Sequence, residues 1–162
     1  MNVNQYFFAA LIFDYLDFLK NIKGLSENTA KAYQRDLNKF SNFLESISVD
    51  SLESISEEKC SAWIADLFQN DVSARSIQRH ISSAKGFFSY MKKIGLVQTS
   101  PFELINSPKS ANHLPNILSP EEVSQLLNFK PKNSQDKRDF AIIELIYSSG
   151  LRVSEAVNSN LS

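Results

Sequence analysis

Apolar side chains recur at three- and four-residue intervals in four successive stretches before residue 96, each bounded by residues that start or stop helices. Over residues 5–23, Phe8, Leu11, Ile12, Tyr15, Leu19 and Ile22 share a broad face, and Gly24 follows as a terminating glycine. Ser26 stands as the N-cap of a second helix, with Glu27 in its first turn and a seam of Ala30, Tyr33, Leu37, Phe40 and Leu44. A Ser-rich connection leads to Ser56, which caps a third helix with Cys60, Ile64, Leu67 and Phe68 inward and Trp63 closing one edge. Residues 73–95 form the fourth, with Ile77, Ile81, Ala84, Phe88 and Met91 on one face. Four amphipathic helices on short connections predict a compact all-α bundle over residues 1–96.

The period then breaks. Pro101, Pro108 and Pro115, with Ser and Asn between them, predict an extended linker over 97–118; Lys109 and His113 lie within it, the histidine expected to be solvated. A new unit spans 119–162. Ser119, Pro120 and Glu122 spell N-cap, first helical position and capping box. After a polar loop, residues 136–150 predict a helix with Phe140, Ile143, Leu145 and Ile146 largely buried, stopped by Gly150, and 151–162 begin one more. So short a unit is too small for a core of its own. It is expected to be the truncated start of a domain, with Ile142, Ile143, Leu145, Ile146 and Val153 partly uncovered.

Charge alters this picture locally rather than in sum. The 162 residues carry a net charge of -1. Yet Glu45, Asp50, Glu53, Glu57, Glu58, Asp66 and Asp71 are opposed only by Lys59, whereas 73–95 contain no acid. Away from the seam of that fourth helix stand Arg75, Arg79, Ser82, Gly86, Ser89 and Lys93, flanked by Lys85 and Lys92. Such a face either meets phosphates or is simply solvated. The same choice applies to Lys31, Arg35, Asn38 and Asn42 on the outside of the second helix, where solvation is the simpler reading.

A single cysteine, Cys60, excludes an intrachain disulfide and fits a reducing compartment, where it is expected as a small buried side chain. The first helix has no basic n-region, and Asp14, Asp17 and Lys20 interrupt it too soon for a membrane span. A soluble cytoplasmic protein is expected, with no metal, no cofactor and no membrane partner.

Four segments, in order, resemble one family. NTAKAYQRDLNKFSNFL (28–44) and RHISSAKGFFSYMKKIG (79–95) are similar to DNA-facing helices of the core-binding (SAM-like) domain of tyrosine recombinases. PKSANHLPNILSPEEVSQLL (108–127) resembles the segment leading into that family's catalytic domain, and RDFAIIELIYSSGLRVSEAV (138–157) its first catalytic box, Gly-Leu-Arg-x-Ser-Glu. The similarity runs from about residue 13 to 157 and is strongest to Xer-type recombinases and related phage integrases.

The resemblance implies a clamp on duplex DNA. The second and fourth helices would cross the major groove, with Thr29, Lys31, Arg35, Arg75, Arg79 and Lys85 as contacts; His80 aligns with a basic family position, but helical geometry puts it near the packed face. The implied chemistry is attack of a tyrosine hydroxyl on a phosphodiester, giving a 3′-phosphotyrosyl bond and a free 5′-hydroxyl. Arg152 would be the first of two arginines that stabilise the charge gathered on non-bridging oxygens, and Glu155 would buttress it. The family's β-hairpin lysine, His-x-x-Arg box and nucleophilic tyrosine match no position here, so this α+β catalytic domain is represented only by its helical start. The 162-residue polypeptide alone is expected neither to cleave nor to ligate DNA. Implied partners are a double-stranded recombination site and further recombinase protomers. A stand-alone helical module, binding DNA or protein without recombining, is the alternative, and salt-insensitive behaviour without DNA affinity would favour its protein-binding form.

Overall fold

The computed structural model describes residues 3–108 and 117–159, so Lys109, His113 and Pro115 lie outside the described residues. Every regular element among the described residues is helical. The chain divides into two compact units, Met1–Ala111 and Asn112–Ser162.

The first unit is built from α1 (Val3–Asn21), α2 (Glu27–Ser46), α3 (Glu57–Gln69) and α4 (Ala74–Lys93). Helix α4 packs against all three others, and α1 also packs on α2. Three serines start helices as their positions require: Ser26, Ser56 and Ser73 accept the backbone N–H of Thr29, Lys59 and Ser76. All four helices are followed by a left-handed residue and a hydrogen bond back into the last turn, six-to-one after α2, α3 and α4 and one residue wider after α1. The bonds are Leu25 N–H to Leu19 O (3.1 Å), Val49 to Leu44 (2.9 Å), Val72 to Leu67 (3.1 Å) and Leu96 to Met91 (2.9 Å). Glycine holds the left-handed position at Gly24 and Gly95, but Ser48 (φ 56°) and Asp71 (φ 54°) hold the other two. Each non-glycine there carries strain of roughly 1–2 kcal/mol.

The predicted seams form the core, with corrections. Leu16 and Phe87 join it, while Ile22 turns out to be 71% exposed and Phe68 49% exposed. Trp63 does not close an edge; it stands in an aromatic cluster with Phe40 (ring centroids 4.7 Å apart) and Phe102 (6.1 Å). Phe88 completes the cluster, its ring 5.6 Å from that of Phe102. The reading of 97–118 as an extended linker is also corrected at its start. Phe102 is fully buried and Ile105 belongs to the same core, so the chain remains part of the bundle beyond α4. Gln78 Nε2 donates to Pro108 O (2.6 Å) and ties down the end of this packed segment. A non-helical stretch buries isolated anchors rather than a periodic face, which is why hydrophobic spacing did not reveal them. Cys60 is buried as expected, and burial pushes its thiol up to about 12.

The second unit holds α5 (Pro120–Leu127), α6 (Ser134–Ser149) and α7 (Val153–Asn158). The capping box is formed: Glu122 N–H donates to Ser119 Oγ (3.2 Å) and Ser119 N–H to Glu122 Oε2 (2.7 Å). Helix α6 begins two residues earlier than its pattern suggests, because Asn133 Oδ1 accepts the Asp136 N–H (2.8 Å) and caps it. Gly150, with φ 66°, ends it. The expectation of largely buried positions in α6 is corrected: Phe140, Ile143 and Ile146 are half-buried and Leu145 is exposed. No described residue of this unit is fully buried, in keeping with its size.

Candidate nucleic-acid interface

Helices α2 and α4 lie side by side, and an acid in the α2 seam governs what they present. Asp36 is only 1% exposed. Burying a carboxylate requires a cation or a full set of hydrogen bonds. Arg79 of α4 supplies both, donating Nε–H to Asp36 Oδ2 (2.8 Å) and Nη2–H to Oδ1 (2.9 Å). The Arg79 side chain is still 43% exposed, and the bonds to Asp36 hold its pKa above the ordinary arginine value.

His80 is the second group on this acid. Its Nδ1 lies 3.2 Å from Asp36 Oδ1 but off the line of a hydrogen bond, which leaves that buried nitrogen without a bonded partner. Burial lowers its pKa; Asp36 opposes the shift, and the charges of Lys39 and Arg79 add to it. The imidazole is therefore neutral at pH 7, edge-on to Trp63 with ring centroids 5.6 Å apart. This is the packed-face position that its place on the helix indicated.

The other sequence candidates are distributed unevenly. Thr29 sits at the start of α2, its hydroxyl 2.8 Å from Ser26 Oγ. Lys31 is exposed and pairs with Glu27 at 2.9 Å, holding that carboxyl below its usual range. Arg35 and Arg75 are exposed, and Arg75 lies one turn before Arg79 on α4. Lys85 is half-buried and lies roughly a third of a turn round the helix from Arg79. Gly86 does not belong to the outer face at all, because the Tyr15 hydroxyl of α1 lies over it. Lys93 Nζ stands 4.9 Å above the Phe18 ring. The basic surface of α4 is thus narrower than the pattern suggested. Asp36 and Lys39 escaped the sequence reading; the signal for Asp36 was its spacing of three from Tyr33 and four from Phe40, within the seam.

In the second unit Arg152 is the N-cap of α7. Its backbone N–H donates to Glu155 Oε2 (2.8 Å), and its Nη1 donates to Glu155 Oε1 (3.0 Å). The pair is exposed. Among the described residues no cluster of potential metal ligands is present, and no helix is long and apolar enough to cross a membrane.

The profile of the phage integrase N-terminal SAM-like domain matches residues 12–95, the span from α1 to the end of α4. The chain belongs to the tyrosine recombinase family. Tyrosine recombinase XerC of Anoxybacillus flavithermus is 35% identical over 91% of this chain and 50% of its own length. Tyrosine recombinases XerD of Staphylococcus haemolyticus and Listeria innocua are 34% and 36% identical over the same shares of each chain. The chain thus spans about half the length of the curated relatives it matches. No solved structure matches it. The all-helical first unit is the N-terminal core-binding domain of a Xer-type tyrosine recombinase.

Proposed function

We propose that this domain grips duplex DNA through α2 and α4, as part of a site-specific recombinase that acts in the cytoplasm with further protomers of its kind. The helical bundle, with the packed segment that follows α4 as far as Pro108, forms the DNA-binding domain, and residues 119–162 belong to the start of the catalytic domain. The observations that support this reading are the adjacency of α2 and α4 and the exposure of Arg35 on the first and of Arg75 and the Arg79 side chain on the second. Arg and Lys side chains so placed neutralise phosphates and position the protein, while base edges specify the site. Thr29, Lys31 and Lys85 extend the contact. Arg152 supplies guanidinium donors to the phosphate under attack, and Glu155 orients it by the contacts already formed.

The test is fluorescence anisotropy with a mixed-sequence duplex over a range of salt. The expected result is affinity that falls steeply with salt and drops sharply in Arg35→Glu/Arg75→Glu. Unchanged duplex affinity in that double variant at low ionic strength overturns the reading.

A further inference from the structure

We propose that Asp36 is a positioning residue for DNA: it fixes the Arg79 guanidinium in the orientation that meets a backbone phosphate. The inference rests on the DNA-binding reading above and adds a residue that never touches DNA.

Three observations carry it. First, Asp36 is almost completely enclosed, so the partner of its charge is dictated by the fold. Second, among the described residues His80 is the only other cation-capable side chain in contact with it, and His80 is neutral and makes no hydrogen bond to it. The carboxylate therefore belongs to Arg79 alone. Third, the pairing is side-on through Nε and Nη2, two parallel bonds that fix the guanidinium plane. The N–H groups of Nη1 and the second N–H of Nη2 are not used by Asp36. They belong to a side chain that is 43% exposed, one helical turn beyond Arg75.

An unrestrained surface arginine loses rotamer freedom on meeting a phosphate. Arg79 has already lost it in the folded protein, so its contact is made from a fixed starting geometry. This also explains why an acid is tolerated beside a polyanion: its charge is consumed by the fork and shielded by burial.

The sign of one substitution tests the idea. Removing an acid near a polyanion should by simple electrostatics raise affinity. Positioning predicts the opposite for Asp36→Asn. With the full chain and a labelled mixed-sequence duplex, affinity should fall several-fold in Asp36→Asn, and the slope of log affinity against log salt should shrink by about one phosphate contact. Arg79→Ala should do the same, and Asp36→Asn/Arg79→Ala should lose no more than either alone. Arg75→Ala should add to each. A purely structural role for Asp36 would lower the melting temperature without changing the salt slope of the folded protein. Unchanged or raised affinity in Asp36→Asn, or an unchanged slope, overturns the proposal.

Should Asp36→Asn fail to fold, Arg79→Lys decides, since its ammonium still neutralises Asp36 but cannot form the fork. Wild-type affinity in Arg79→Lys overturns the proposal; a slope like that of Arg79→Ala supports it. If the wild-type chain itself shows no salt-dependent binding, the DNA-binding reading fails. If it binds and only the Arg79 variants are silent, the positioning role alone fails.

Discussion

Gly86 of α4 lies directly beneath the hydroxyl of Tyr15 on α1, with no room between them for a methyl group. Tyr15 is buried, wedged edge-on against Phe87 with ring centroids 5.8 Å apart and tilted against Tyr90 at 5.7 Å. A glycine in mid-helix costs about 1 kcal/mol relative to alanine. Here it allows two helices to close on each other.

Gly86→Ala should therefore destabilise despite its better helix propensity. The overpacking penalty of roughly 1–3 kcal/mol outweighs or cancels the propensity gain. Adding Tyr15→Phe removes the colliding oxygen and should recover most of the loss. Denaturant midpoints of the two variants and the wild type check this. A Gly86→Ala protein clearly more stable than wild type would refute the close approach.

Phe102→Ala should cost about 3–5 kcal/mol, as expected for a fully enclosed aromatic. Leu104→Ala, two residues on and 72% exposed, should stay within about 0.5 kcal/mol. Chemical denaturation of both variants measures whether the segment after α4 belongs to the bundle.

Asp71→Gly should stabilise by about 1 kcal/mol. Asp71 occupies a left-handed position, at φ 54°, that glycine takes without strain, and its negative charge faces the unfavourable end of the α3 dipole. An increase in melting temperature is expected, and a decrease would show that the side chain holds something the turn geometry does not.

The pH dependence of stability should carry a component from His80. Its folded pKa lies below its ordinary value of 6.5, so between the two the unfolded chain binds more protons than the native state. Stability from this group is complete above about pH 6.5 and is lost as the pH falls through the lowered value. Melting temperatures at about pH 7.5 and about pH 5 should separate more in the wild type than in His80→Gln. Equal separations would remove His80 as the cause.

Much of this fold is written in local punctuation. Ser26, Ser56 and Ser119 start helices where their spacing to the next apolar seam requires, and Gly24 and Gly150 end them. The seams of α2 and α4 follow from periodicity alone. What escaped is tertiary. Asp36 occupies a core position that a polar residue normally avoids, and only the approach of Arg79 from another helix makes it tolerable. Gly86 reads as a small outward residue until α1 is laid across it. Trp63 could not be assigned to the centre because two of its ring partners, Phe40 and Phe102, come from distant parts of the chain. Of the candidate interface, the cations were legible; their restraint by a buried acid was not.

Trp63 is the chain's only indole, and it stands edge-on to the imidazole of His80 inside the aromatic cluster. The domain therefore contains its own optical gauge. Its emission should be blue-shifted while the cluster is closed, dim as the neighbouring ring acquires a proton, and move to the red when the helices part, so that one lamp reports both events without any label.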